Sequence, residues 1–294
     1  MAIYVAPRLP AIDILGSEGI GSVVPASEAK DSALRIGILN LMPLKVDTET
    51  DMLRVMSDAV PDVTVDFIET ATHRSSHTPA RHLDMFYRKF PEIADRYYDG
   101  FIITGAPVEK LDFTHVDYWP ELSRIMDWTR SHVTGSVLYV CWGALAGLFH
   151  HYGVPKRVLD RKISGVFPHR AVIGDCRLFD GLGDEFYVPH SRFGAVDSDD
   201  ICANDALTLL ASGDGCGVYA VMARAGREIF LTGHAEYAPL TLDSEYRRDM
   251  NRGLEPSIPV NYYPGDDPSQ KPDAIWVSDA RRIMANWIEY YVAR

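Results

Sequence analysis

Two periodicities alternate along this chain, and that alternation limits its fold more than any other feature. Apolar runs of strand length, bounded by turn residues, occur at Ile36 to Leu41, Val63 to Ile68, Phe101 to Thr104 and Ser136 to Val140. Such runs between turn residues read as buried strands. Between them the spacing changes to 3.6. Thr48 to Ala59 carries Met52, Leu53, Val55 and Met56, and Tyr118 to His132 carries Leu122, Ile125, Met126 and Trp128. Strands alternating with helices predict an α/β fold, an open and mostly parallel sheet with helices on both faces.

A further strand is expected at Glu228 to Thr232, after the Gly213 to Gly217 turn, and an aromatic-rich helix from about Asp279 to Tyr291. No internal repeat or low-complexity tract breaks the pattern. At 294 residues and 47% hydrophobic the chain can bury a full core, and one domain over residues 1–294 is expected. Residues 1–34 have weak periodicity and precede the first clear strand, so they read as an N-terminal arm wrapping the core. The Pro-rich segment Asn261 to Pro272 reads as a surface excursion, because a packed-looking helix follows it.

Charge excludes several functions. Twenty-nine basic against forty-one acidic residues give a formal charge of -12, without a basic cluster, which repels nucleic acid and anionic lipid. The N-terminus, MAIYVAPRLPAIDIL, has no charged leader followed by an apolar stretch, and no segment approaches the ~20 apolar residues of a membrane span. A cytoplasmic protein off the membrane is expected. The four cysteines, Cys141, Cys176, Cys202 and Cys216, lack CxxC spacing and are too few to staple a chain this long, so they read as reduced thiols.

Three segments bring chemistry to strand ends. In SVLYVCWGALAG, residues 136–147, an apolar strand runs into Cys141 and small residues then open a helix. Such an elbow holds a thiol above the sheet edge, where a helix N-terminus favours the thiolate and the backbone N–H of Trp142 can stabilise an oxyanion. The alternative for this segment alone is an ordinary buried cysteine. In REIFLTGHAEY, residues 227–237, a strand ends at Gly233 and delivers His234 with Glu236 two residues on. An imidazole and a carboxylate so placed can serve as base and orienting acid, or be a surface pair after a strand. In FIITGAP, residues 101–107, a strand breaks at Gly105, whose backbone N–H could supply a second oxyanion donor or simply lie in a β-to-α turn. All three fall where an open α/β sheet places ligands.

Other features are bland. His73, His77 and His82 lack a matching Cys or carboxylate set, so no metal is expected. Gly16, Gly19 and Gly21 have the wrong order for a dinucleotide loop and nothing matches GxxxxGK[ST], so no bound nucleotide cofactor is expected.

Nine ordered motifs carry a resemblance over nearly the whole chain: ILNLMP from 38, HTPARHL from 77, FIITGAPVE from 101, DYWPEL from 117, VCWGALA from 140, KISGVFPH from 162, VPHSRF from 188, LTGHAEY from 231 and NYYPGDDP from 261. The chain resembles the homoserine O-acyltransferases of the homoserine O-succinyltransferase type, which share a fold with class I glutamine amidotransferases. The resemblance implies Cys141 as acyl-thioester nucleophile, His234 as general base and Glu236 as its partner. It implies Lys162, Ser191 and Arg248 as substrate contacts, L-homoserine and an acyl-CoA as substrates, methionine biosynthesis as the setting, and a homodimer. It further implies that Glu109 governs the donor, glutamate going with acetyl transfer and glycine with succinyl transfer, so acetyl-CoA is the expected co-substrate. A succinyl donor is the alternative. A glutamine amidotransferase-like subunit is a more distant one, because Trp142, Gly143, Ala144 and Leu145 follow Cys141 where that group shows Gly-His-Gln.

Overall fold

A computed structural model describes residues 2–73, 75 and 77–294. Among these the strands are β1 (Ile3–Val5), β2 (Val23–Pro25), β3 (Leu34–Leu39), β4 (Val63–Glu69), β5 (Tyr87–Lys89), β6 (Tyr98–Ile103), β7 (Val133–Val140), β8 (Arg157–Ala171), β9 (Phe186–Ala195), β10 (Leu207–Gly213), β11 (Gly217–Ala223) and β12 (Glu228–Leu231). The α-helices are α1 (Pro10–Ser17), α2 (Lys45–Val55), α3 (Ala80–Phe86), α4 (Phe90–Ile93), α5 (Trp119–His132), α6 (Trp142–Tyr152), α7 (Ser198–Cys202), α8 (Thr241–Asn251) and α9 (Val277–Trp287).

The spatial order is β2-β1-β4-β3-β6-β7-β12-β11-β10-β8-β9, with β5 paired to β4 beyond the end of β1. Strands from β2 to β12 run parallel, and each pair from β12 to β9 is antiparallel. Burial on both faces explains the apolar runs of β6 and β7. Phe101 and Ile103 enter one core layer and Ile102 the other, and on β7 Val137 and Tyr139 oppose Leu138 and Val140. Helices α1, α2 and α9 cover the first layer with Leu15, Met52, Leu53 and Ile283, while α5 and α6 cover the second with Leu122, Ile125, Leu145 and Leu148. Both faces of the strand are therefore dry.

Residues 2–33 do not wrap the core as an arm. They make a strand-helix-strand extension of the sheet, in which Ile3 pairs with both Val23 and Val63 and Leu15 of α1 is fully buried. Three-residue strands are too short to show a period, which is why the pattern looked weak. The Pro-rich segment also differs from expectation at its start, since Tyr262 and Tyr263 are buried and Val260 bridges Gly165. Strands β8 and β9 were not foreseen; β8 opens with Arg157, Asp160, Arg161 and Lys162 on a half that is not covered on both faces.

The parallel register puts the carboxyl ends of β3, β6, β7 and β12 on one edge. Loops leaving that edge carry Gly105, Cys141 and His234, and this gathers the candidate site.

Candidate active site

Cys141 lies one residue beyond β7, and its amide donates to Leu231 O at 2.7 Å, so the ladder holds it to the last atom. There the chain reverses into α6, with Cys141 at φ 50° and ψ -116°. A side chain at that φ is strained by about 1–3 kcal/mol and persists because its surroundings over-determine it. Gly143 is one of those constraints: a Cβ on it would stand 2.6 Å from Thr104 O and 2.7 Å from Ile103 O. Only glycine lets the first turn of α6 press this closely on the end of β6. The Trp142 side chain is fully buried beside Phe113 and Tyr118, which anchors the same turn. As first-turn residues, Trp142 and Gly143 have no intrahelical acceptor for their N–H groups.

Gly105 faces the thiol. A Cβ there would lie 3.3 Å from Cys141 Cβ and 3.5 Å from His234 Cε1, so glycine leaves room between the two reactive groups. His234 is fixed from three sides: its amide donates to Pro189 O at 2.8 Å, its Nδ1 is 2.7 Å from Glu236 Oε1, and its ring stacks on Tyr237 at 4.1 Å. Burial disfavours the imidazolium, but the charges and hydrogen bonds of Cys141 and Glu236 outweigh it and hold the His234 pKa well above the ordinary 6.5. With Nδ1 given to Glu236, Nε2 is the nitrogen left for the thiol. The trio can deprotonate a thiol, protect the imidazolium that results, and return the proton.

Lys162 and Ser191 converge on a residue that sequence reasoning missed. Glu245 of α8 accepts hydrogen bonds from Ser191 Oγ and from Tyr237 Oη at 3.0 Å, and Lys162 Nζ stands 3.3 Å from its Oε2. Burial raises the Glu245 pKa, yet Lys162, Ser191, His234 and Tyr237 together bring it below the usual carboxylate value. A carboxylate this close to His234 offers a ligand ammonium an anchor. Its sequence signal was faint, because it lies on a strongly polar helix. Arg248 is one turn further along α8, but its guanidinium turns to Asp249, at 2.9 Å from Oδ1, and to solvent. Asp249 also faces Lys162, with Oδ2 3.6 Å from Nζ, so Arg248 joins the Glu245 cluster through Asp249 and not by direct contact.

Glu109 is in the loop after β6, and burial raises its pKa against the charges of His234 and Lys162. Gly194 is a neighbour, where a Cβ would lie 3.7 Å from Glu109 Cβ.

The histidines at 73, 77 and 82 do not form a cluster: His73 pairs with Asp117 and His82 with Glu49, both at 2.8 Å. A different trio, His169, His190 and Cys216, has ligand atoms all within 4.8 Å of one another. Hydrogen bonding fixes its tautomers. Arg192 Nε donates to His190 Nδ1 at 3.2 Å, so the neutral His190 carries its proton on Nε2 and donates to His169 Nε2 at 3.1 Å. His169 then donates from Nδ1 to Phe167 O at 2.9 Å. The facing nitrogens are thus engaged with each other, and a cation there would also meet the buried Arg192 charge.

Comparison with known proteins gives the family and the fold. A family model described as homoserine O-succinyltransferase matches residues 2–294. A homoserine O-acetyltransferase of Bacteroides fragilis (strain YCH46) is 49% identical over 295 residues, covering 99% of this chain and 96% of its own. Another, of Brevibacillus brevis, is 46% identical over 99% of this chain and 96% of its own. The crystal structure of a glutamine amidotransferase from Thermotoga maritima superposes with a TM-score of 0.57 at 11% identity, over 90% of this chain and 100% of that one, a likeness of fold alone. The sheet is thus of the glutamine amidotransferase type, and the chain belongs to the homoserine O-succinyltransferase family.

Proposed function

We propose that this protein is a homoserine O-acetyltransferase, moving an acetyl group from acetyl-CoA to the hydroxyl of L-homoserine through a thioester on Cys141. The observation that carries the reading is the strained Cys141 elbow with His234 and Glu236 buried beside it. His234 takes the thiol proton, and Sγ attacks the thioester carbonyl. The amides of Gly105 and Trp142 stabilise the oxyanion. Collapse breaks the bond to coenzyme A, whose thiolate recovers the proton from His234. In the second half His234 takes the homoserine hydroxyl proton, the alkoxide oxygen attacks the thioester carbon, and Cys141 is released. Two half-reactions sharing one acyl-enzyme predict ping-pong kinetics.

Glu245 is the group suited to the homoserine ammonium, with Lys162 and Ser191 holding it, and Arg248 can reach the acceptor carboxylate by turning from Asp249. Glu109 favours acetyl over succinyl, because a carboxylate at that place fills space and repels the distal carboxylate of a succinyl group. The acetyltransferase names of the relatives support the same donor. The reading needs no bound cofactor. It places the protein in methionine biosynthesis, as a homodimer in the cytoplasm; none of the described helices is long and apolar enough to cross a membrane.

Release of coenzyme A thiol from acetyl-CoA and from succinyl-CoA, each with L-homoserine, tests the function. Homoserine-dependent release with acetyl-CoA preferred is expected. A preference for succinyl-CoA would contradict the donor, and release from neither would contradict the function.

A further inference from the structure

A loop carboxylate can reject a ligand only if its backbone cannot retreat. Glu109 lies between β6 and α5, and the group that fixes its loop comes from elsewhere. Lys156, immediately before β8, donates from Nζ to Glu109 O at 2.6 Å and to Leu111 O at 2.5 Å. Its ammonium also stands 4.7 Å from the centre of the Phe113 ring. The Lys156 stem crosses Gly194 of β9, where a Cβ would be 3.7 Å from Lys156 Cδ. From the other side the Lys110 ammonium sits 3.9 Å over the Phe193 ring. Partial burial lowers the Lys156 pKa. Its partners are two carbonyls of one loop and an aromatic face, not the carboxylate of a common surface ion pair.

We propose that Lys156 is a positioning residue for acyl-donor discrimination, tying the Glu109 to Leu111 loop against β9 so that the Glu109 carboxylate keeps a fixed place beside the site. The inference rests on the reading of Glu109 as donor gate. Without the tether the loop loses two charge-assisted hydrogen bonds, and a displacement of about 1 Å is enough to matter at a reacting centre. The gate then gives way before a succinyl group. Methionine at 156 keeps the bulk of the stem and removes the charge, glutamine offers a shorter neutral donor, and arginine retains a cationic donor.

The test compares kcat/KM for acetyl-CoA and succinyl-CoA, with L-homoserine, in the wild type, Lys156→Met, Lys156→Gln, Lys156→Arg and Glu109→Gly. Hydrogen exchange over residues 108–113 is measured on the same proteins. Lys156→Met and Lys156→Gln are expected to lower the acetyl preference about tenfold, with faster exchange confined to that segment, and Lys156→Arg to recover most of both. A purely structural lysine would change thermal stability and leave the donor ratio alone. If Glu109→Gly shifts the ratio and neither neutral variant at 156 does, the proposal is overturned and the gate stands. If exchange accelerates but no variant, Glu109→Gly included, shifts the ratio, the gate reading itself has failed and takes the proposal with it.

Discussion

His234 Nδ1 and Glu236 Oε1 are 2.7 Å apart although a single alanine separates the two residues, because the turn after β12 brings the carboxylate back to the edge of the ring. One short segment therefore supplies both the base and the group that selects its tautomer. Glu236→Gln keeps the size and removes the charge that supports the imidazolium. A fall in kcat of about 10²–10⁴-fold with little change in KM is expected. Steady-state kinetics with acetyl-CoA check it, and a rise in KM alone would assign Glu236 to binding.

The places of that pair and of Cys141 at strand ends were legible in the sequence because each follows an apolar run. The single segments left a buried cysteine and a surface pair open, and only the family resemblance implied the roles. The same legibility holds for β3, β6, β7 and β12, where Ile36–Leu39, Phe101–Ile103, Val137–Val140 and Ile229–Leu231 are buried without a polar side chain among them. Legibility failed where strands are short or half wet. Ile3–Val5 and Val23–Pro25 are three residues each, and β9 carries polar residues inside the protein: Arg192 donates to His190 and to the Gly194 carbonyl, and Ser191 donates to the Glu245 carboxylate. Glu245 was invisible for a related reason: on the polar helix TLDSEYRRDMN nothing local distinguishes the one carboxylate that β9 and Tyr237 bury.

Glu245 gives the second prediction. If its carboxylate anchors the acceptor ammonium, Glu245→Gln removes a charged hydrogen-bond partner worth about 1.5–3 kcal/mol, roughly ten- to a hundredfold in the KM for L-homoserine. The KM for acetyl-CoA should hardly move. An equal rise for both substrates would show that Glu245 supports the site as a whole rather than the acceptor.

Gly143 tests the packing that creates the elbow. Gly143→Ala puts a methyl group against Thr104 O and Ile103 O at distances no carbon tolerates. Such overpacking costs about 1–3 kcal/mol in stability. Activity should fall much further than stability, since the turn that carries Cys141 must shift. Thermal unfolding and turnover measured together would reveal the opposite pattern, full activity in a folded variant, if the close approach were incidental.

The buried histidine pair predicts an acid-sensitive fold. Burial, the Arg192 guanidinium and, for His190, the neighbouring histidines hold the His169 pKa at about 4 and that of His190 well below the ordinary 6.5. Above pH 6.5 both states are neutral and the contribution to stability is complete. As pH falls through 6.5 toward 4 the unfolded chain takes up protons that the folded chain refuses. Stability should drop by about 1.4 kcal/mol per pH unit for each histidine. Unfolding followed from pH 7.5 to 4.5 should show a shallower slope in His169→Gln, and an unchanged slope would place the acid sensitivity elsewhere.

The thioester on Cys141 is the claim on which the rest depends. The most direct measurement is intact and peptide mass analysis of the protein after brief exposure to acetyl-CoA without homoserine. One acetyl group on the peptide containing Cys141, lost on adding L-homoserine and absent in Cys141→Ala, is the expected result. Full turnover by Cys141→Ala, or an acetyl group on another residue that homoserine discharges, would contradict it.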